Sequence, residues 1–247
     1  MINIYTEKEI VIMAEGGKIL AEVIRKIAKY AKPGITTKEL DKVAEDLIFS
    51  YGAKPAFKGF DNYPAVICAS VNEEIVHSIP KDRILKEGDV LCLDLGIKYK
   101  GYCTDAAITL AIGKTSKKAR KLIEITEKSL KIAVKQCRAG KHLGDISWAI
   151  QNYVEKKGFN VIRDLVGHGI GKSVHEDPQI LNYGDKGTGP ELVEGMVLAI
   201  EPMVSMGDWQ IEKCEDGFGY RTKDRSISAH FEHTVAITKR GAKILTE

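Results

Sequence analysis

Two aspartates lie within apolar runs of the sequence, where a carboxylate is unexpected. Asp94 lies in the run 90–97 and Asp105 in the run 103–108, with a turn-like segment between them. Both runs have the composition of buried strands. A hairpin symmetric about residues 99 and 100 would place Asp94 directly opposite Asp105. Like charges at such a position repel, and burying both is costly unless a cation lies between them.

A second pair of acids has the same character. Glu201 ends an apolar run that begins at residue 196, and Glu232 lies at the start of another that continues to residue 237. The midpoint between the two falls between Asp216 and Gly217, and Asp-Gly is a strong hairpin signal. The sequence therefore predicts that two hairpins each bring two carboxylates to one place.

Divalent cations are the partners that best explain such a cluster. Four carboxylates balance the charge of two divalent ions, and their oxygens can bridge both. A lysine or arginine partner could explain any single acid, but these strands carry no basic residue near the acids. We therefore predict a site for two divalent metal ions, with Co, Mn, Fe, Zn and Ni as the candidates.

Three histidines are candidates for the same site. His168 is flanked by glycines, which allow close approach, and is the best nitrogen candidate for a metal ligand. His175 is a candidate donor to a developing oxyanion, and His77 lies between a predicted strand and a proline turn. A solvated turn is the competing interpretation of the glycine-rich segment, and a surface loop is that of His77. We treat His142 and His230 as ordinary residues. His233 is next to Glu232, so strand alternation points it to the opposite face, and we do not assign it as a ligand.

The elements that must position these residues are of mixed type. Helical periodicity covers residues 7–30, 37–50, 116–136 and 143–156. Strands are predicted near residues 65–71, 90–97, 103–112, 196–204 and 230–238. Helices combined with antiparallel strands indicate the α+β class.

The two halves of the chain resemble each other. At an offset of 107, the segment that ends at Asp94 matches the segment that ends at Glu201. A similar offset of 106 relates two helical segments that each end in glycine. We therefore expect a single catalytic domain built by internal duplication, with halves of roughly 1–112 and 113–247. The site would lie between the halves.

The composition narrows the class of protein. A formal charge of +3 does not require a nucleic acid partner, although it is compatible with transient ribosome association. The N-terminus has no signal-peptide core, and no run reaches the length of a membrane span. Five cysteines without C-x-x-C spacing indicate reduced thiols. We expect a cytoplasmic monomer with no membrane contact.

Several motifs together resemble one family along nearly the whole chain. They are the segments 54–59, 72–77, 167–171, 175–178, 201–203 and 222–234. Their order and spacing are similar to those of type I methionine aminopeptidases, in the short form without an N-terminal extension. The resemblance implies the pita-bread fold, in which two related halves with antiparallel sheet and outer helices surround a dinuclear metal centre.

The resemblance also implies a role for each site residue. Asp105 and Glu232 would bridge the ions, Asp94 would hold one of them, and His168 with Glu201 would hold the other. His175 and His77 would contact the substrate, and Glu201 would also be the general base. The residues at the positions of the methionine pocket are Phe60, Tyr63, Cys68 and Phe218. The chain departs from its better-known relatives at Phe57, Val174 and Phe218, where cysteine, phenylalanine and tryptophan are common.

These expectations define a hypothesis and two rivals. The hypothesis is a metallo-aminopeptidase that removes the initiator methionine from nascent polypeptides, using a water activated between two ions. One rival is an X-Pro aminopeptidase or prolidase of the same fold, which would share the ligands. The other is a non-catalytic binding member of the fold.

Overall fold

The computed structural model describes all 247 residues. Its four helices are α1 (Glu7–Tyr30), α2 (Thr37–Ser50), α3 (Lys117–Val134) and α4 (Leu143–Glu155). Its strands in the first half are β1 (Lys54–Pro55), β2 (Cys68–Val71), β3 (Glu74–Val76), β4 (Val90–Tyr99) and β5 (Tyr102–Ala111). Those in the second half are β6 (Asn160–Val161), β7 (Val166–Gly169), β8 (Glu176–Leu181), β9 (Val197–Ile200), β10 (Met203–Ser205), β11 (Ile211–Lys213), β12 (Tyr220–Thr222), β13 (Ser228–His230), β14 (Glu232–Thr238) and β15 (Gly241–Ile244).

The helices begin where their capping residues predict. Thr6 and Thr36 each accept a hydrogen bond from the backbone of the third helical residue, whose glutamate side chain returns a bond to the cap. These capping boxes satisfy amides that the first turn of a helix leaves without a partner. All four predicted helices are confirmed to within two residues at each end.

A nine-stranded sheet joins the two halves. Its strand order is β1-β4-β5-β14-β9-β7-β8, with β2 paired to β4 and β15 paired to β14. The central pair is β5 and β14, one from each half. Helices α1 and α2 form one apolar core with β2 and β4, and helices α3 and α4 form another with β9 and β14.

Strand alternation separates the two faces of this sheet. In β4, the apolar side chains that enter the helical core are Leu91, Leu93, Leu95 and Ile97. Because successive side chains point to opposite faces, Asp94 lies on the face away from the helices. The same alternation in β9 and β14 sends Leu198, Ile200, Val235 and Ile237 into the second core. Glu201 and Glu232 therefore point to the same inner face as Asp94.

The register predicted for the first hairpin is wrong by two residues. Asp94 pairs with Ala107, and Asp105 pairs with Gly96, so the two acids are diagonal neighbours and not directly opposed. The reason is the turn, which consists of Lys100 and Gly101. Both have positive φ, 47° and 92°, as a type I′ turn requires. A shift of two keeps both acids on the same face.

The register predicted for the second pair of acids is confirmed. Ile200 pairs with His233, and the same alignment continues through β10–β13 and β11–β12. These three strand pairs form one long two-stranded ribbon, which turns at residues 215–218, where Gly217 has a φ of 78°. The strand expected over 196–204 is divided at Pro202, which lacks an N–H for the ladder. Glu201 therefore lies where the ribbon leaves the main sheet.

Helix α1 packs closely against the C-terminal segment at Gly17. A Cβ atom at this glycine would lie 2.1 Å from the carbonyl oxygen of Leu245. At the neighbouring Gly16 the nearest atom would be a side-chain carbon of Tyr99, at 3.2 Å. Of these two glycines, only Gly17 therefore lies against a backbone atom, which cannot move aside as a side chain can.

We predict that Gly17→Ala lowers the free energy of unfolding by about 2 kcal/mol, because overpacking at backbone exceeds the gain in helix propensity. Gly16→Ala is the matched control, with the same gain in propensity and a smaller steric cost. Urea denaturation of both variants measures the difference. A Gly17→Ala variant that is as stable as Gly16→Ala, or more stable, would contradict this close packing.

Candidate metal centre

The inner face of the sheet brings a histidine and carboxylates from both halves together. One ligand atom each from Asp105, His168 and Glu232 lies within 4.8 Å of the others. The Nε2 atom of His168 also lies 3.4 Å from a carboxylate oxygen of Glu201. Asp94 lines the same cavity, on the strand next to Asp105. These are the five residues predicted to be metal ligands.

Asp94, Asp105 and Glu232 are buried and Glu201 is nearly so, and no lysine or arginine balances their charge. Asp94, Asp105 and Glu232 each have a buried oxygen that makes no hydrogen bond. None of the four carboxylates is paired with a lysine or arginine, and the basic groups beside Glu201 are the imidazoles of His168 and His230. Burial raises the pKa of each carboxyl, and repulsion from neighbouring carboxylates raises those of Asp94, Glu201 and Glu232 further. Such a cluster requires positive charge, which divalent cations supply.

The imidazole of His168 is prepared for a ligand role. Its Nδ1 lies 2.9 Å from the carbonyl oxygen of Gly169, which can only accept, so Nδ1 carries the proton. The lone pair of Nε2 then faces the carboxylates. Burial lowers the pKa of His168 to about 3, which keeps the ring neutral as metal coordination requires. The donor set therefore fits divalent transition metals.

Two further histidines line the cavity beside this cluster. The ring of His175 lies edge-to-face with that of His168, at a centroid distance of 4.4 Å. His77 has a φ of 58°, a conformation that is uncommon for a residue with a side chain. Burial lowers the pKa of His77 to about 4 and also lowers that of His175. Both rings are therefore neutral near pH 7 and can donate a hydrogen bond to a substrate oxygen.

An apolar wall adjoins the cluster. Tyr63 and Phe218 contact edge-to-face at 5.6 Å, and Phe60 contacts His175 at 5.1 Å. Cys68 pairs with Asp94 across β2 and β4, so its buried thiol lies beside the acids. The cavity has a volume of about 820 Å³, and all eleven predicted site residues line it. Phe57 and Val174, where the chain departs from the family pattern, line it too.

His230, which was predicted to be an ordinary residue, is a neighbour of the cluster. It is 1% exposed, and neither ring nitrogen makes a hydrogen bond. Its Nε2 lies 3.5 Å from the second carboxylate oxygen of Glu201, so two imidazoles flank this acid. The predicted register of the ribbon contained the signal, because it places residue 230 next to the acids. His233 instead contacts Thr246, away from the cluster, as strand alternation predicted.

The comparisons with known proteins agree with this geometry. The model of metallopeptidase family M24 matches residues 11–239. The chain belongs to metallopeptidase family M24. Family membership makes it a hydrolase of peptide bonds.

Relatives in this family are similar over the whole chain. The methionine aminopeptidase of Clostridium acetobutylicum is 50% identical over 247 residues, which is 100% of this chain and 99% of that protein. Methionine aminopeptidase 1 of Bacillus subtilis is 48% identical over 246 residues, with the same coverage of both chains. The crystal structure of methionine aminopeptidase from Thermotoga maritima has a TM-score of 0.98 at 47% identity, covering 100% of both chains.

The more distant relatives share the fold. The prolidase from Pyrococcus horikoshii has a TM-score of 0.81 at 25% identity, over 99% of this chain and 63% of that one. The predicted pita-bread fold and the predicted α+β class are confirmed. No helix of the chain has both the length and the apolar composition that crossing a bilayer requires.

We predict that the metal-free protein loses stability as pH rises from about 6.5 to about 8, a range in which the buried histidines are neutral in the folded state and nearly so in the unfolded state. The folded state raises the pKa of the four carboxyls above their unfolded values of about 4, so it binds more protons than the unfolded state. Stability then falls as pH rises through the folded pKa values. Bound divalent metal replaces these protons, so its stabilising effect increases with pH.

Thermal melts of chelator-treated and metal-loaded protein across this pH range measure the effect. The expected result is a gap between the two melting temperatures that widens toward pH 8. A gap independent of pH would mean that the acids are not the groups that bind the metal.

Proposed function

We propose that this protein is a metal-dependent aminopeptidase that removes the N-terminal methionine from nascent polypeptides. The observation that carries the proposal is the convergence of four carboxylates and one imidazole beside an apolar wall. Full-length similarity to proteins named methionine aminopeptidase supports the substrate class.

We assign the metal ligands residue by residue. Asp105 and Glu232 would bridge two divalent ions, Asp94 would complete one site, and His168 with Glu201 would complete the other. Co, Mn, Fe, Zn and Ni are compatible with this set of oxygen and nitrogen ligands. When bound, the ions supply Lewis-acid chemistry, which makes hydroxide available near neutral pH.

The remaining groups would move protons and orient the substrate. Glu201 would accept a proton from the attacking water and deliver it to the leaving amine. The neutral rings of His175 and His77 would donate hydrogen bonds, to the developing oxyanion and the scissile amide respectively. One such donor is typically worth about 10²–10³ in rate. The buried setting strengthens each of these interactions, since little water competes for them.

The apolar wall would hold the methionine side chain. An unbranched thioether can contact aromatic ring edges, and the rings of Phe60, Tyr63 and Phe218 supply them. Cys68 would close the inner end of this pocket, next to Asp94. A pocket of this kind selects an N-terminal residue by shape and places its carbonyl near the carboxylate cluster.

The proposed function predicts a specific pattern of substrates. A Met-Gly-x peptide should be hydrolysed by the metal-loaded enzyme. An x-Pro-x peptide that begins with a residue other than methionine should be hydrolysed at least about 100-fold more slowly, because its first side chain does not fill the pocket. Mass spectrometry of both digests measures this ratio. The prolidase alternative would reverse it, and the non-catalytic alternative would leave both peptides intact.

Asp105→Ala is the matching test of the centre. Loss of a bridging carboxylate should abolish turnover together with metal occupancy, whereas the distant surface change Lys32→Ala should affect neither. An active Asp105→Ala variant that retains its metal would contradict the assignment.

We further propose that the enzyme works as a monomer in the cytoplasm and associates transiently with ribosomes. All five cysteines are free, which suits a reducing compartment. A basic surface supports the ribosome contact. Residues 114–141, which include α3, carry ten lysines and arginines against two glutamates, a net charge of +8 in a chain of net +3. All ten basic side chains are exposed, as polyanion binding requires.

We predict that the triple variant Lys121→Ala, Lys128→Ala and Lys135→Ala binds ribosomes more weakly. The seven-residue spacing places Lys121 and Lys128 on one face of α3, and Lys135 follows directly after the helix ends. Each lost phosphate contact should lower the salt slope by about one. Co-sedimentation with ribosomes over a range of salt concentrations measures the slope. A triple alanine variant at Lys18, Lys29 and Lys32 removes the same charge elsewhere. Equal losses in both variants would exclude a specific contact through α3.

A further inference from the structure

The residues just before β8 form an irregular turn that holds His175 beside the cluster. Residues 171–175 belong to neither helix nor strand. Inside the cavity, the His175 ring has edge-to-face contacts with the rings of Phe60 and His168. The direction of this imidazole therefore depends on what fixes the backbone of the turn.

Tyr5 fixes that backbone from outside the cavity. Its hydroxyl lies 2.7 Å and 2.9 Å from the two carboxylate oxygens of Glu176, to which it donates. The same hydroxyl oxygen accepts a hydrogen bond from the amide of Lys172, at 3.1 Å. Glu176 in turn accepts one from the amide of Ser173, at 3.0 Å. A single hydroxyl thus connects both ends of the turn that carries His175.

The ring of Tyr5 adds a steric constraint. A Cβ atom at Gly171 would lie 2.0 Å from the Tyr5 hydroxyl oxygen, so the ring occupies the space where a side chain would be. Tyr5 is 6% exposed, and its amide donates to the carbonyl of Gly195 at 2.8 Å. It is not among the residues that line the cavity, so the hydroxyl does not touch substrate.

We propose that Tyr5 is a positioning residue for the hydrolytic reaction, acting through the turn 171–176 on His175. The proposal rests on the proposed function, because that function gives His175 its role. Without the hydroxyl, the amide of Lys172 and the carboxylate of Glu176 lose their common partner, and the turn gains freedom. The imidazole then spends less time at the position where it stabilises the developing oxyanion.

Tyr5→Phe tests this directly, because it removes the hydroxyl and keeps the ring. The expected result is a kcat about 10-fold lower with KM nearly unchanged, since a small misplacement of a catalytic group affects the transition state most. Tyr102→Phe is the matched control. The Tyr102 ring contacts that of Tyr5 at 6.2 Å, but its hydroxyl donates to Glu9, away from the turn. This control should keep the kcat of the unmodified enzyme.

A double-mutant cycle with His175→Ala separates positioning from a general structural effect. If Tyr5 acts through His175, Tyr5→Phe lowers kcat in the unmodified enzyme and has no further effect once His175 is alanine. Metal content and melting temperature are measured for every variant. Both should match between Tyr5→Phe and Tyr102→Phe.

The outcomes are distinct. Equal kcat losses in both backgrounds, an unchanged kcat for Tyr5→Phe, or loss of metal or folding in that variant would each overturn the role of Tyr5. An unmodified enzyme without turnover, or a fully active His175→Ala variant, would instead overturn the proposed function.

Discussion

The mutual repulsion of four buried carboxylates is the constraint around which the rest of this protein is built. Protonation can relieve this repulsion when no metal is bound, whereas divalent cations balance the four charges together at higher pH. The protein places them on the inner face of a sheet whose outer face is covered by helices. The two apolar cores therefore stabilise the fold, and the inner face of the sheet holds the polar side chains of the site.

Much of the fold was predictable because local chemistry specifies it. The threonine caps and glutamate partners define where α1 and α2 begin, and the alternation in β4 defines which face Asp94 occupies. The predictions that were wrong concerned the exact position of a turn or of a strand end, within one or two residues. The first hairpin turns at Lys100-Gly101 because Gly101 accepts positive φ readily, whereas the predicted turn was centred one position earlier. The division of a strand at Pro202 depends on tertiary pairing with two different sheets, which strand propensity does not reveal.

The site was more predictable than the fold around it. Acids in apolar runs and a glycine-flanked histidine are anomalies that mark a site within short stretches of sequence, and the family resemblance added the residues of the methionine pocket. All eleven predicted residues line one cavity. Their individual roles stay predictions. His230 and Tyr5 were missed for a different reason. Neither is anomalous among its sequence neighbours, and each reaches the site only through a contact made across the folded molecule. Sequence anomalies identify groups with a direct chemical role, whereas supporting groups require the structure.

The long ribbon between β9 and β14 carries two groups of site residues at different distances from the main sheet. Glu201 and Glu232 lie at its base, and Phe218 lies at its tip, where it reaches across to Tyr63 of the first half. The strands of the ribbon keep one alignment along its whole length. Adding or removing one residue on each strand would therefore move the tip and leave the acids opposite each other. In such an arrangement, changes in the length of the ribbon and in the sequence of its tip can alter the choice of substrate. The two acids at the base would keep their positions in each case.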